Sequence, residues 1–186
     1  MLIEISPMQR KPPRRFPVSQ NLTTVRERIQ AQGFCGLSDD MYAQINYPLR
    51  LSPAICMAWA AVGTALASPT ILWALVPFAV LGAILPGHPF DALYNYGLRH
   101  LVGKPMLPRY GKRRRMACLM GATTVGAAAW AFQSGLPMLG YLLGALLVTI
   151  TFVQVSTGIC MPSIMMRVLF GKVVCGNARV DAVHVP

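Results

Sequence analysis

The residues best suited to chemistry lie in one short segment, GICMPSIMM, at the end of the longest apolar region of the chain. Cys160 and Ser163 have the spacing of the two thiols in a C-x-x-C pair. Thiol–disulfide exchange needs an attacking thiolate and a second thiol that resolves the mixed disulfide, and a serine cannot resolve it. A redox role for Cys160 therefore needs a thiol from elsewhere, such as Cys35 or Cys175. The alternative is that Cys160 packs as a small hydrophobic residue.

The same segment carries soft metal ligands. Cys160, Met161 and Met165 offer thiolate and thioether donors, which select Cu(I). Met161 and Met165 would share one face of a helix, but Pro162 interrupts that geometry. We therefore predict that these methionines pack and that no metal is bound. The five cysteines are odd in number and scattered, so we expect no disulfide framework.

His88 and His100 are the candidates for ligating a haem or chlorin metal, or for proton movement. His88 precedes Pro89, where it could instead cap a helix, and His100 belongs to an amphipathic segment. No second histidine lies in an apolar segment to face them. We predict no cofactor, and contact with a pigment or a lipid stays an open alternative.

The composition is typical of a membrane protein. Apolar residues make up 54% of the 186 residues, and the mean hydropathy is +0.48. Residues 51–90 and 116–166 contain no Asp, Glu, Lys or Arg, whereas a surface helix of a soluble protein needs a polar stripe. Transport paths usually show ionisable groups in the membrane, and these segments have none. We predict an all-α integral membrane protein without a transport path.

The basic residues predict the orientation of the chain. There are 17 Lys and Arg against 6 Asp and Glu, and all 17 lie outside the two uncharged segments. By the positive-inside rule, the N-terminal arm, the central loop and the C-terminal tail are cytoplasmic. Nucleic-acid binding is not indicated, because a soluble fold and interleaved aromatic residues are missing. The residues that we expect to dock on anionic lipid or an acidic partner are Arg10, Lys11, Arg14, Arg15, Lys112, Arg113, Arg114 and Arg115.

Each apolar segment is too long for one span of about 20 residues and must fold back on itself. Ser68 and Pro69 mark the break in the first segment, and Pro77 predicts a kink. The second segment turns at residues 133–135. The result is four transmembrane helices in two hairpins. The predicted regions are a cytoplasmic arm with short helices (1–50), hairpin 1 (51–86), a cytoplasmic interfacial helix and basic loop (87–115), hairpin 2 (116–160) and a cytoplasmic tail (161–186).

Short helices are indicated outside the spans. Residues 24–27 read as a capping box, which predicts a helix from there to about Gly33, and Ser38 could cap another through Ile45. After Pro89, apolar residues recur at helical spacing, with Asp91 on another face, and this pattern predicts one amphipathic helix in the membrane interface that stops at Gly103. Its apolar stripe is Phe90, Leu93, Tyr94, Gly97, Leu98 and Leu101, and its polar face is Asp91, Asn95 and Arg99.

Gly140 and Gly144 form a G-x-x-x-G pair in the last predicted span. Such small residues let helix backbones approach closely in lipid. The contact could be with this chain's own helices or with a partner, and both alternatives stay open.

Residues 42–172 contain two apolar hairpins, the connector HPFDALYNYGLRHLVGKPMLP and a last helix leading into STGIC. In this order they resemble an uncharacterised bacterial integral-membrane family, the domain of unknown function 4395. Its members typically finish the last helix with a Thr-Gly-Phe-Cys-Leu-Gly-Cys-like segment. Thr157, Gly158 and Cys160 match that segment, and Ser163 replaces its second cysteine. The resemblance implies residence in a membrane and no particular activity.

No catalytic constellation is evident, so we predict a non-catalytic function. The expected role is an accessory, assembly or structural subunit of a larger bacterial membrane protein complex, of respiratory or photosynthetic type. The alternative is a membrane thiol or sulfur-handling redox protein that uses Cys160. The expected location is the bacterial cytoplasmic (inner) membrane, crossed several times with both termini cytoplasmic. The expected partners are membrane lipids and the larger complex.

Overall fold

The computed structural model describes residues 20–171, and this part of the chain is all-helical, without a β-strand. The elements are α1 (Gln20–Ala31), α2 (Asp39–Ile45), a 3-10 turn (Pro48–Arg50), α3 (Leu51–Ala65), α4 (Pro69–Ile84), α5 (Pro89–Leu93), a π-helical turn (Tyr94–Leu98), α6 (Arg99–Val102), α7 (Lys112–Gln133), α8 (Pro137–Thr157) and α9 (Met161–Phe170). The four longest helices form two hairpins, α3–α4 and α7–α8. The hairpins pack side by side as a bundle, in which α4 contacts α7 and α3 contacts α8.

The predicted breaks in both apolar segments are confirmed. Ser68 is the N-cap of α4, where its hydroxyl accepts a hydrogen bond from the Ile71 amide at 3.5 Å, and Pro69 is the first helical residue. Gly135 turns the second hairpin with a φ of 73°, a conformation that glycine adopts without strain. Short turns of this kind place the two helices of each hairpin next to each other.

The N-terminal helices were predicted with mixed success. Ser38 caps α2 as expected, because its hydroxyl accepts a hydrogen bond from the Met41 amide at 3.3 Å, and α2 ends at Ile45. The capping box at residues 24–27 is wrong: α1 already includes Gln20, so Thr24 lies inside the helix. The helix-start pattern occurs by chance in a sequence that is helical on both sides of it.

The connector is not the one continuous amphipathic helix that the sequence predicts. The helix is broken into α5, a π-helical turn and α6, and it stops at Gly103 as expected. Asp91, from the predicted polar face, is buried, whereas Leu101 from the apolar stripe is 87% exposed. The helical spacing was real, but the face that packs on the protein is a different one.

The predicted tail contains a further helix. α8 ends at Thr157, and Gly158 follows in a left-handed conformation with a φ of 73°. Pro162 then stands in the first turn of α9, where its missing N–H costs no hydrogen bond. The proline therefore begins a new helix after the corner.

Two apolar clusters hold the structure together. One lies inside the bundle, where small residues of α7 allow close contact with α3 and α4: Ala60, Leu72, Leu75, Val125, Ala128 and Ala129. The other joins the N-terminal helices to the connector: Ile29, Phe34, Tyr42, Ile45, Leu49, Tyr94, Leu107 and Tyr110. The bundle is thus covered at one end by a small second core.

Among residues 20–171, α8 is the one helix that is by itself long and apolar enough to cross a membrane, and only 11% of its most apolar stretch is buried. α4 and the α5–α6 connector pass the same test together, as a pair bent by 80°. α3 and α4 have 15 and 16 residues, fewer than the roughly 20 of a typical span. These dimensions are weak evidence for a membrane protein.

Candidate functional site

A cavity of about 180 Å³ lies inside the helix bundle and brings three thiols together. Cys56 comes from α3, Cys118 from α7, and Cys160 from the corner that precedes α9. All three are free cysteines. Polar side chains also line the wall of the cavity, and these are Ser52, His88, Tyr110, Arg114, Thr124, Thr151 and Gln154.

His88 is buried at the start of α5 and takes the capping role that the sequence allowed. Its Nδ1 accepts a hydrogen bond from the Phe90 amide at 3.4 Å, and its Nε2 lies 3.8 Å from the Cys56 thiol. Burial lowers the pKa of His88, the charge of Asp91 raises it, and Arg114 lowers it, with a net decrease. Because a neutral imidazole with an accepting Nδ1 carries its proton on Nε2, His88 offers an N–H donor on the thiol side.

Gly82 of α4 lies against both His88 and Cys118. A Cβ at this glycine would lie 3.1 Å from His88 Nε2 and 3.3 Å from Cys118 Sγ. A side chain at this position would therefore displace the imidazole or the thiol. No local pattern in the sequence indicates this arrangement, because Cys118 belongs to a distant segment.

Arg114 is buried at the end of the cavity nearest the second core, with 3% of its surface exposed. One Nη donates to the Leu49 carbonyl oxygen at 2.8 Å, and the other donates to the Gln32 side-chain oxygen. The guanidinium also lies over the Tyr110 ring, 4.8 Å from its centroid. The prediction that Arg114 docks on lipid or a partner is therefore wrong, since its partners lie within the chain.

Its neighbours in the basic cluster contact the ends of helices. Arg115 donates to the carbonyl oxygens of Ala83 and Ile84 at the end of α4, and Arg113 donates to that of Gly171 after α9. Positive charge is favourable there because of the helix dipole and the unpaired carbonyl groups. Lys112 is exposed. The other predicted docking residues, Arg10, Lys11, Arg14 and Arg15, lie outside the described residues.

The end of α8 is held by three side chains that sequence reasoning missed. Arg28 of α1, Gln32 directly after α1 and Arg50 before α3 donate to the carbonyl oxygens of residues 155–158 at 2.8 to 3.0 Å. These carbonyl groups have no partner within their own helix. In the sequence, Arg50 is only one of the basic residues at the edge of an apolar segment that predict the orientation of the chain in the membrane.

Asp91 is a buried carboxylate beside the cavity. Ser52 donates a hydrogen bond to one of its oxygens, and the other oxygen has no hydrogen-bond partner in residues 20–171. The one ion pair of the described chain, Arg26–Asp39, is exposed and distant from it in sequence. Asp91 and Arg114 are thus two buried charges near one cavity that interact at longer range.

The other predicted site residues lie elsewhere. His100 is exposed and does not line the cavity. Cys160 is buried, but Met161 and Met165 are 45% and 42% exposed, so the three candidate metal ligands do not converge. Over residues 20–171, no group of three His, Cys, Asp or Glu side chains is placed to hold a metal. Ser163 is buried, and its hydroxyl has no hydrogen-bond partner within this range.

Two further expectations can be compared with the geometry. Gly140 and Gly144 are buried, Gly140 against the Phe132 ring and Gly144 against Thr64. The G-x-x-x-G pair therefore packs against this chain's own helices. Cys35 is disulfide-bonded, although the sequence predicts no disulfide framework.

The fold and the cavity define an all-helical protein with a candidate membrane helix and a thiol-lined internal site. Residues 46–170, more than half of the chain, match the family model described as Domain of unknown function (DUF4395). The chain belongs to this family, as the order of its motifs indicated. No curated protein and no solved structure matches it.

Proposed function

We propose that the protein crosses the bacterial cytoplasmic membrane four times, as two hairpins with both termini in the cytoplasm. The turns at residues 66–68 and 134–136 are uncharged, whereas Arg50 and Arg115 lie at the opposite end of the bundle. This asymmetry fits the positive-inside rule. The 15 residues of α3 reach only about 22 Å at 1.5 Å per residue, so local thinning of the bilayer must accompany the short hairpin.

A reporter fusion tests this orientation. A reporter placed after Pro186 is expected to be active in the cytoplasm, and one inserted after Gly135 is expected to be active in the periplasm. Alkaline phosphatase and a fluorescent protein give opposite signals in the two compartments and serve as controls for each other. If both reporters lie in the same compartment, the chain does not cross the membrane between the two positions, and the proposed second hairpin of two spans is wrong.

We further propose that the protein is a membrane thiol protein that works at the cavity. The observation that carries this proposal is that Cys118 lines the same cavity as Cys160. α7 packs against α9, and the two thiols are within electrostatic range of each other. Cys118 can therefore supply the second thiol that Ser163 does not. We now favour this function, the sequence-based alternative, over an accessory role.

The two thiols lie among groups that bring them together. Cys118 and Cys160 are both free and share the wall of the cavity with the Arg114 side chain. When two thiols join as a disulfide, one S–S bond forms, two S–H bonds break, and two protons and two electrons leave. An acceptor in the cavity would have to take them.

Oxidation of the purified protein tests the thiol function. Treatment with the thiol oxidant diamide is expected to remove two hydrogen atoms per chain through a Cys118–Cys160 disulfide, seen by intact mass and peptide mapping. Cys118→Ser or Cys160→Ser should abolish this loss, and Cys56→Ser, which also removes a cavity thiol, should leave it intact. A mass that does not change, or a loss that persists in Cys118→Ser, contradicts the proposal.

The accessory-subunit function remains a second candidate because the outer surface of α8 is apolar. Met138, Leu142 and Phe152 are 83%, 66% and 58% exposed. Lipid would cover these side chains in a membrane, and so would a helix of a larger complex. The same oxidation experiment separates the two functions, since an accessory role requires no reactive pair of thiols.

A further inference from the structure

Most of the partly exposed residues in the wall of the cavity lie on α7 and α8, which places its opening between these two helices. Its wall there contains Gly121 of α7 and Ile150 of α8, which are partly exposed, and Leu146, which is 49% exposed. The two helices are in close contact near their turn, where Gly140 meets Phe132, and the cavity lies toward their other ends. If the bundle spans a membrane, as proposed above, this opening faces the lipid chains.

The inner end of the cavity presents hydrogen-bond donors. His88 carries its proton on Nε2, whose present partner is the Cys56 thiol at 3.8 Å, a weak acceptor, and the Arg114 guanidinium, which has five N–H donors, lines the same wall. The formal charges of Arg114 and the nearby buried Asp91 cancel. A neutral ligand with an accepting oxygen therefore fits better than an anion, because an added buried negative charge would be left without a compensating partner.

The size of the cavity suits one ring. An apolar cavity of about 150 Å³ in a protein core is known to hold benzene, and the present cavity measures about 180 Å³. Apolar side chains from three helices, such as Leu75, Val125 and Leu147, supply contacts for the faces of a ring. The wall thus combines a flat apolar space with donors at one end.

We propose that the cavity binds the head group of a lipid-soluble quinone. One ring carbonyl oxygen accepts hydrogen bonds from His88 and Arg114, and the isoprenoid tail leaves between α7 and α8 into the bilayer. This inference rests on the proposed membrane location and names the acceptor for the thiol pair. Two protons and two electrons from a pair of thiols convert a quinone to a hydroquinone, so the atoms and electrons of the exchange balance.

Titration of the full-length protein in lipid nanodiscs with decylubiquinone tests the inference by calorimetry. Gly121→Leu should weaken binding at least tenfold, because a side chain at this position enters the cavity and its Cβ would meet nothing within 4 Å. Ala127→Leu is the matched control, since Ala127 lies on α7, is exposed and does not line the cavity. That variant should bind as the unmodified protein does.

A second variant separates the carbonyl contact from packing. His88→Asn keeps an oxygen that can accept the Phe90 amide at the start of α5 but removes the Nε2 donor. Binding should weaken by about tenfold, since the hydrogen bond to the ring carbonyl oxygen is lost. Equal affinity in His88→Asn and the unmodified protein would overturn the assigned contact.

The inference is overturned if the unmodified protein does not bind decylubiquinone, if Gly121→Leu binds it normally, or if decanoic acid binds in its place. Failure here can be distinguished from failure of the thiol function. If diamide forms the Cys118–Cys160 disulfide but no quinone binds, the thiol function stands and the ligand is wrong. If quinone binds but no disulfide forms, the ligand stands and the thiol function is wrong.

Discussion

Replacing Arg114 with methionine should lower the free energy of unfolding by about 3 to 6 kcal/mol, because each of two hydrogen bonds from a charged donor contributes about 1.5 to 3 kcal/mol. The substitution leaves the Leu49 carbonyl and the Gln32 side-chain oxygen without this donor. The contact with the Tyr110 ring is also lost. Methionine keeps an apolar stem of similar length, so the lost interactions rather than a new cavity dominate the effect.

The effect should extend beyond the immediate contact. Gln32, directly after α1, joins Arg114 of α7 to the Gly158 carbonyl that follows α8, so the loss of the guanidinium also affects how these three helices are held together. Lys112→Met is the matched control, since Lys112 is an exposed cation two residues earlier in α7, and its loss should change stability by less than about 0.5 kcal/mol. Equilibrium unfolding in detergent, followed by circular dichroism, gives both values. An Arg114→Met protein as stable as Lys112→Met would show that the buried guanidinium does not hold these helices together.

The hairpins could be predicted because their signals are local. Ser68 and Pro69 begin a helix through a hydroxyl that caps the first amides and a ring that needs no amide hydrogen bond. Ser38 caps α2 in the same way. Such signals depend only on residues within one turn, so a sequence shows them completely.

The roles of the charged residues could not be predicted from the sequence. Four successive basic residues at 112–115 look equivalent, yet Lys112 is exposed, Arg114 is buried, and Arg113 and Arg115 contact the ends of other helices. Which of them points inward depends on the rotation of α7 against α4, and long-range packing sets that rotation. Asp91 was misread for the same reason, since helical spacing identifies a face but not the surface that it meets.

The cavity was visible in the sequence only in part. Cys160 and Ser163 stand out as an incomplete pair, and the sequence offers Cys35 or Cys175 as the resolving thiol. Nothing in the sequence indicates Cys118, because it lies more than one helix earlier in the chain and has no motif around it. Its position beside the cavity follows from the packing of α7 against α9, a contact between residues distant in sequence.

Substitution of Gly144 by alanine should destabilise the protein, although alanine is the better helix former by about 1 kcal/mol. A Cβ at Gly144 would lie 2.9 Å from the Cβ of Thr64, with the Thr64 hydroxyl and methyl groups nearer still. The Thr64 Cβ is fixed to its backbone, so α8 must move away from α3. Overpacking of this kind costs about 1 to 3 kcal/mol, which outweighs the gain in helix propensity.

The matched control is expected to change the stability of the protein in the opposite direction. Gly121→Ala adds the same methyl group to α7, where it meets nothing within 4 Å, so it should stabilise the protein by up to about 1 kcal/mol. The Gly144→Ala, Thr64→Ala double variant should recover part of the loss, because the hydroxyl and methyl groups that the new Cβ meets are gone. Thermal unfolding of the four proteins in one detergent measures all three changes. If Gly144→Ala is as stable as Gly121→Ala, then α3 and α8 are not in contact at this glycine, and the G-x-x-x-G pair is free to bind a partner helix.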